Sequence, residues 1–280
     1  MFAQTKNLSL LGFALLLACI FSLAYASQSG AATLTTVTSN ADSGTGTLRE
    51  AVATADSNGE PDTITFDLLE GQRTITLTSG QISFTEAQET TVDGGGVVTV
   101  SGNDSSRVFD VGADASLTVR GLTVRDGSAL VGGDDFDLSG GGIRSSGTLT
   151  IVGSNLTGNS ADWDGGGIFN RGGVLSVVGT TVSDNTAPEG YGGGIWMSNG
   201  TMTIDRSTVS GNTASDTGGG IVSRTDLEAE RTTITNSTIS GNTASDDEEG
   251  GSGIFNVDGL TVIEHSTITG NTAPDGVGSG

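Results

Sequence analysis

The stretch GGGIWMSNGTMTIDRSTVSGNTA, residues 192–214, decides the fold because the chain repeats its pattern. It carries two marks, a glycine run that ends at an isoleucine and an Asn-Thr-Ala segment further on. The isoleucine recurs five times, as Ile143, Ile168, Ile195, Ile221 and Ile254. The asparagine also recurs five times, as Asn159, Asn185, Asn212, Asn242 and Asn271. The distance from isoleucine to asparagine is 16, 17, 17, 21 and 17 residues, so both marks belong to one repeating unit.

Each unit has the pattern of short strands. In the quoted stretch, Met202, Ile204 and Val209 lie between threonines, serines and other polar residues, which indicates strands with one buried face. Glycine clusters and asparagine supply corners where positive φ is needed. Stacking the units buries their apolar faces and places strands about 4.8 Å apart. The sequence therefore predicts an all-β fold, a right-handed parallel β-helix solenoid with a short N-terminal helical cap.

The repeat marks are expected to stack along the solenoid axis. The isoleucines would point inward, and the asparagine amides would bond from coil to coil and satisfy turn backbone, which is a structural role. The fourth unit carries an insertion at residues 226–230, and the acidic residues 246–249 are a second lengthening. Residues 276–280 resemble the entry to another coil, so the β-helix repeats of residues 69–280 are expected to continue beyond the given sequence.

The region before the repeats has a different pattern. Thr47-Leu48-Arg49-Glu50 is a capping box, which predicts a short helix that ends at Ser57-Asn58-Gly59. Residues 63–66 then start the first predicted strand. An amphipathic helix is physically reasonable here, because a solenoid end would otherwise expose its apolar core.

Specific motifs in this region resemble a known family. Residues 36–44 (TVTSNADSG), 46–52 (GTLREAV) and 62–66 (DTITF) resemble the CSLREA-type N-terminal domain of exported β-helix proteins, although Gly46-Thr47 replaces its Cys-Ser. The repeats resemble those of polymorphic outer membrane proteins, with glycine in place of alanine and valine or isoleucine in place of phenylalanine. The resemblance implies a cap over residues 27–68 and a pectin-lyase-like β-helix that is secreted or lies at the cell surface.

Residues 1–26 have the features of a Sec-type signal peptide. Lys6 precedes an apolar run, and Ala24-Tyr25-Ala26 is a cleavage site, so we expect a secreted or outer-membrane-associated protein without an embedded segment after cleavage. An uncleaved anchor and a lipoprotein site at Cys19 are the alternatives. Cys19 is the single cysteine, so the mature chain would have neither disulfides nor thiol metal ligands.

The charge balance restricts the partners. The formal net charge is −22, which disfavours nucleic acid and anionic lipid. It also disfavours a polyanionic substrate unless calcium bridges the charges. Possible partners are an extracellular glycan or a surface protein, with calcium as the one possible cofactor.

Residues with catalytic potential are few. A pectate-type lyase needs acidic calcium ligands beside an arginine base, and the nearest matches are Asp134, Asp135 and Asp137 with Arg144. Asp162 and Asp164 with Arg171 form a second match. His265, the only histidine, is expected to lie at the surface.

One pattern favours binding. The residues after the repeat isoleucines are Arg144, Phe169, Trp196, Val222 and Phe255. If the isoleucines point inward, these residues form an outward, partly aromatic stripe on which sugars could stack, with Phe169, Trp196 and Phe255 as its rings. The alternative is that loops cover the stripe as a second core. The leading hypothesis is a non-catalytic adhesin, stalk or glycan-binding module, and the alternative is a calcium-dependent polysaccharide lyase or hydrolase.

Overall fold

A computed structural model describes residues 32–130, 134–225, 231–245 and 251–273. The signal peptide with Cys19, the insertion at 226–230, the acidic stretch at 246–249 and the segment 276–280 lie outside the described residues. Within the described residues, parallel strands stack into a β-helix of about eight turns, which confirms the predicted fold class.

The strands belong to three parallel sheets. The first sheet begins with β1 (Thr33–Val37), β2 (Asp62–Phe66), β3 (Thr74–Thr76), β5 (Glu89–Ser101) and β7 (Ser116–Arg125). It continues from β7 as two stacks, one of β10 (Thr148–Val152), β14 (Val174–Val178), β18 (Thr201–Asp205), β22 (Arg231–Thr235) and β26 (Leu260–Glu264), the other of β11 (Asn155–Thr157), β15 (Thr181–Ser183), β19 (Thr208–Ser210), β23 (Thr238–Ser240) and β27 (Thr267–Thr269). The second sheet contains β4 (Ile82–Phe84), β6 (Phe109–Val111), β9 (Ile143–Ser145), β13 (Ile168–Arg171), β17 (Ile195–Ser198), β21 (Ile221–Arg224) and β25 (Ile254–Val257). The third contains β8 (Ser128–Ala129), β12 (Ser160–Ala161), β16 (Thr186–Ala187), β20 (Thr213–Ala214) and β24 (Thr243–Ala244).

The repeat marks lie in register from coil to coil. Ile168 is paired with Ile143 on one side and Ile195 on the other. Both partners are fully buried, as is Ile221, whereas Ile254 is half-buried. The isoleucines therefore form the inward aliphatic stack that the spacing predicts.

Corners of the coil need the left-handed backbone conformation. At the corner between the two stacks, glycine serves in the earlier coils, but Arg206, Asn236 and His265 adopt φ of 48°, 51° and 51° at the equivalent positions. His265 is exposed at this corner. The turn between β26 and β27 therefore places the His265 side chain at the surface.

The asparagines form a continuous hydrogen-bonded ladder. Asn185 donates its backbone N–H and its Nδ2 to Oδ1 of Asn212, at 3.0 and 2.9 Å. Nδ2 of Asn185 also donates to the carbonyl of Leu156, at 3.1 Å. The same bonds recur at each step from Asn159 to Asn271. Because the asparagines are buried, this ladder satisfies corner backbone groups that water does not reach.

A second ladder was not predicted from the sequence. The backbone N–H of each member donates to the hydroxyl of the next, at 3.1–3.3 Å, along Ser154, Thr180, Ser207, Ser237 and Ser266. The signal was present, since a serine or threonine lies five residues before every repeat asparagine.

The N-terminal region contributes one helix and two strands. Helix α1 (Leu48–Ala55) begins after Thr47, whose hydroxyl accepts from the N–H of Glu50, and the helix buries Leu48 and Val52. Glu50 accepts from Gly46 N–H at 2.6 Å, one residue before the position that a standard capping box would use. The prediction that the first strand starts at residue 63 is wrong, because β1 precedes the helix and pairs with β2. Its sequence, TLTTV, has one buried residue, Val37, so its apolar pattern was weak.

Candidate functional site

The stripe of residues that follow the repeat isoleucines lies in register on the outer face of the second sheet. Phe169 pairs with Arg144 and with Trp196. Val222 pairs with Trp196 and with Phe255. Phe169 and Val222 are 3% and 2% exposed, whereas Trp196 and Phe255 are half-buried. The stripe is therefore covered at Phe169 and Val222, and the side chains of Trp196 and Phe255 are partly exposed to solvent.

The glycine three residues before each repeat isoleucine makes room for the stripe. Gly192 has φ of 64°, and a Cβ there would lie 3.0 Å from Cβ of Trp196. Gly251 has φ of 79°, and its Cβ would lie 3.0 Å from Cδ2 of Phe255. These glycines thus serve both the turn and the close approach of the following ring.

Loop residues add further aromatic rings. Trp196 stacks on Phe169 with ring centroids 4.5 Å apart and an interplanar angle of 3°. Phe136 meets Phe169 edge-on at 5.7 Å. Trp163 and Tyr191 come from the loops that precede the glycine runs of their coils, and both are half-buried. The result is an aromatic surface in a chain of which only 5% is aromatic.

Two clefts open on this surface. The larger, of about 350 Å³, is lined by Trp163, Asp164, Tyr191, Trp196, Val222, Arg224, Phe255 and Val257. The smaller, of about 190 Å³, is lined by Asp135, Phe136, Ser139, Trp163, Asp164, Phe169, Arg171 and Trp196. The clefts share Trp163, Asp164 and Trp196, and we call the two together the aromatic groove. It contains both tryptophans of the chain and an arginine in each cleft.

Asp164 is the unusual polar group of the groove. It is 7% exposed, and its Oδ1 accepts from the backbone N–H of Tyr191 at 3.0 Å. Burial raises the pKa of Asp164 to about 7. The hydrogen bond from Tyr191 lowers this pKa, whereas the negative charges of Asp135 and Asp216 raise it further. Near neutral pH this carboxyl can therefore carry a proton and donate a hydrogen bond to a ligand.

The three aspartates considered for calcium do not converge in the described residues. Asp134, Asp135 and Asp137 are all exposed. Oδ1 of Asp134 accepts from the N–H of Asp137 at 3.1 Å, and Oδ1 of Asp137 pairs with Arg144 at 2.9 Å. Among the described residues, no group of three acidic, histidine or cysteine side chains is placed to hold a metal ion. Calcium binding at this loop stays a prediction.

Arg144 is held by two carboxylates. It pairs with Asp110 at 2.7 Å and with Asp137 at 2.9 Å, and it lies over the Phe136 ring at 4.4 Å. Burial alone would lower the pKa of Arg144, but the hydrogen bonds and charges of Asp110 and Asp137 raise it. An arginine that retains its proton in this way is a poor base, so the geometry does not favour Arg144 as the catalyst of a lyase.

Arg107 fixes the loop that carries Phe136, and sequence reasoning did not find it. It is 6% exposed and donates to the carbonyls of Asp137, Ser139 and Gly140 at 2.7–2.9 Å. Burial, with the charge of Arg144, lowers the pKa of Arg107 to about 10. Its carbonyl partners lie more than 25 residues away and have no side-chain signature, so the sequence held no signal for this contact.

The helices of the described residues are all too short and too polar to cross a membrane. Comparison of the chain with protein-family models, with curated proteins and with solved structures found no match. The likeness to CSLREA-type domains and to polymorphic outer membrane protein repeats therefore rests on the motifs alone, and what is shown is a repetitive parallel β-helix.

Proposed function

We propose that this chain is an exported, secreted or cell-surface β-helix protein that binds extracellular glycans through the aromatic groove. The observation that carries the proposal is the concentration of Trp163, Tyr191 and Trp196 around the buried carboxyl of Asp164. The N-terminal apolar segment with its cleavage site supports the proposed export from the cytoplasm. The protein would act as a non-catalytic adhesin, stalk or binding module.

Sugars suit this groove for two reasons. The C–H faces of a pyranose pack against aromatic rings, while its hydroxyls need hydrogen-bond partners at the edge of the ring. Asp164, Arg171 and Arg224 supply such partners in the two clefts. Because the chain carries a net charge of −22, long polyanions would be repelled, so neutral glycans are the favoured ligands.

Intrinsic tryptophan fluorescence provides the test, because both tryptophans line the groove. Titration with neutral oligosaccharides should change the emission of the wild-type protein and give a dissociation constant. Trp196→Ala should weaken binding roughly ten-fold, which corresponds to about 1.4 kcal/mol. Val174→Ala, at an exposed position on β14, is the control and should bind normally. Equal affinities for wild type and Trp196→Ala would refute the groove as the binding site.

A further inference from the structure

Asp164 lies where the two clefts of the aromatic groove meet. It lines both clefts, together with Trp163 and Trp196. The other lining residues of the smaller cleft come from residues 135–171, and those of the larger cleft come from residues 191–257. Because the coils stack along the solenoid axis, the two clefts follow one another in that direction.

The carboxyl group of Asp164 is held in place through its backbone and one of its oxygens. The backbone N–H donates to Oγ of Ser139 at 3.3 Å, and the carbonyl accepts from the N–H of Gly140 at 2.9 Å. Oδ1 accepts from the N–H of Tyr191 at 3.0 Å. Gly190 leaves room for this contact, since a Cβ there would lie 2.9 Å from Oδ1 of Asp164.

Oδ2, the other carboxyl oxygen of Asp164, is available to a ligand. Within the described ranges of the chain, no hydrogen bond or ion pair reaches it. Arg171 and Arg224 line one cleft each, but neither forms an ion pair with Asp164 in this part of the chain. Asp164 is only 7% exposed, and a buried carboxyl oxygen without a hydrogen-bond partner is costly. A ligand in the groove that supplies this hydrogen bond would remove that cost.

We infer that the groove binds two consecutive sugars of one glycan chain, one in each cleft, and that Asp164 hydrogen-bonds through Oδ2 to a hydroxyl at their junction. The inference rests on the proposed glycan binding and adds the length, the direction and one contact of the ligand. A chain that occupies both clefts runs along the solenoid axis. A sugar hydroxyl suits the contact in either protonation state of Asp164, because it can donate to a carboxylate and accept from a carboxylic acid.

The hydrogen bond from Tyr191 determines what a substitution of Asp164 does. In Asp164→Asn, we expect the amide oxygen at the Oδ1 position, because there it accepts from the Tyr191 N–H. The amide NH2 then takes the Oδ2 position and can donate to the same sugar hydroxyl. Asp164→Ala removes both groups. Asp164→Asn should therefore retain most of the glycan binding that Asp164→Ala loses.

The direct test compares glycans with and without the hydroxyl that meets Asp164. The probes are methyl glycosides of common neutral hexoses, their disaccharides and the monodeoxy forms of those disaccharides, titrated by tryptophan fluorescence. Wild type should bind a disaccharide more tightly than its methyl glycoside, and one monodeoxy form should bind about ten-fold more weakly than the parent disaccharide. In Asp164→Ala this difference should vanish, because the hydroxyl has lost its partner. If thermal melting shows that Asp164→Ala is unfolded, Asp164→Leu, with an apolar side chain of similar shape, replaces it.

A second comparison tests whether both clefts are occupied. Arg171→Ala changes the smaller cleft and Arg224→Ala the larger one, and both arginines are exposed, so the fold should tolerate either change. Each substitution should weaken disaccharide binding about five-fold. Arg231→Ala, at an exposed position on β22 of the first sheet, is the matched control and should bind as wild type does.

The possible results separate the two proposals. The inference is overturned if a methyl glycoside binds as tightly as its disaccharide, if no monodeoxy form binds more weakly, or if the deoxy effect persists in the folded Asp164 variant. It is also overturned if only one of Arg171→Ala and Arg224→Ala weakens binding. In each of these cases, weaker binding by Trp196→Ala would leave glycan binding at the groove intact. If no glycan in the panel binds the wild-type protein, both proposals are wrong.

Discussion

Removing one rung of the asparagine ladder should destabilise the middle of the solenoid strongly. Asn212→Ala deletes the oxygen that accepts the backbone N–H and the Nδ2 of Asn185. It also deletes the amide that donates to the carbonyl of Val182 at 3.0 Å. Asn242 is less affected, because its Oδ1 still accepts the backbone N–H of residue 212 at 3.0 Å.

The magnitude follows from the two donors stranded on Asn185. Asn185 is fully buried, so water does not replace the lost acceptor. Each buried donor without a partner costs about 1–3 kcal/mol, which gives a total of about 2–6 kcal/mol. Thr208→Ala, at an outward position on β19, changes a side chain of similar size and should cost within about 0.5 kcal/mol.

Two measurements check this prediction. Urea unfolding compares the free energy of unfolding of wild type, Asn212→Ala and Thr208→Ala. Hydrogen exchange by NMR then reports the protection of the Asn185 backbone amide, which should fall in Asn212→Ala alone. The reasoning is refuted if both variants lie within about 1 kcal/mol of wild type and the Asn185 amide stays protected.

Three other perturbations have defined outcomes. Burial raises the pKa of Asp164 to about 7 from 3.8, so between these pH values the folded state holds a proton that the unfolded state loses. The free energy of unfolding should therefore fall by on the order of 4 kcal/mol as the pH rises from 3.8 to 7. Asp164→Asn should remove this fall in pH-dependent melts. Burial alone would raise the pKa of Asp42, but hydrogen bonds led by those of Ser79 and Arg49 lower it to about 2. The stabilisation by Asp42 is therefore present above pH 3.8 and lost as the pH falls towards 2. Asp42→Asn should reduce the loss of stability in this pH range, and an unchanged acid-unfolding profile would contradict the prediction. Arg107→Met should leave the buried carbonyls of Ser139 and Gly140 without their donors, so we expect faster proteolysis of that loop and a free energy of unfolding lower by about 2–6 kcal/mol. Wild-type cleavage rates would show that other contacts hold the loop.

The repetitive part of the fold could be predicted because every coil has the same residue types at nearly the same spacing. The spacing of Ile195 and Asn212 recurs with small changes, so the register, the inward isoleucines and the ladder partners all followed from counting residues. The strand β1 was missed because a strand with one buried side chain has little apolar periodicity. It forms because its backbone pairs with β2, which lies more than 20 residues further along the chain.

The aromatic groove was predictable only in part. Trp196 and Phe255 occupy a repeat position and could be placed by register. Trp163 and Tyr191 lie in loops that differ from coil to coil, and loop conformation depends on long-range contacts such as the hydrogen bond from the Tyr191 N–H to Asp164. The burial that shifts Asp164 is a property of the assembled loops, and the sequence alone gives no measure of it.

The asparagine ladder also bears on how such a chain can change in evolution. Each asparagine meets its neighbour through the same bonds, so a coil duplicated or deleted between Asn185 and Asn242 leaves no mismatched group at the junction. Recombination within the repeats would then alter the height of the protein in steps of about 4.8 Å. The groove has no such freedom, because its lining residues come from five coils that are not alike. A coil gained or lost between Asn185 and Asn242 would therefore change the height of the protein and the lining of the groove together.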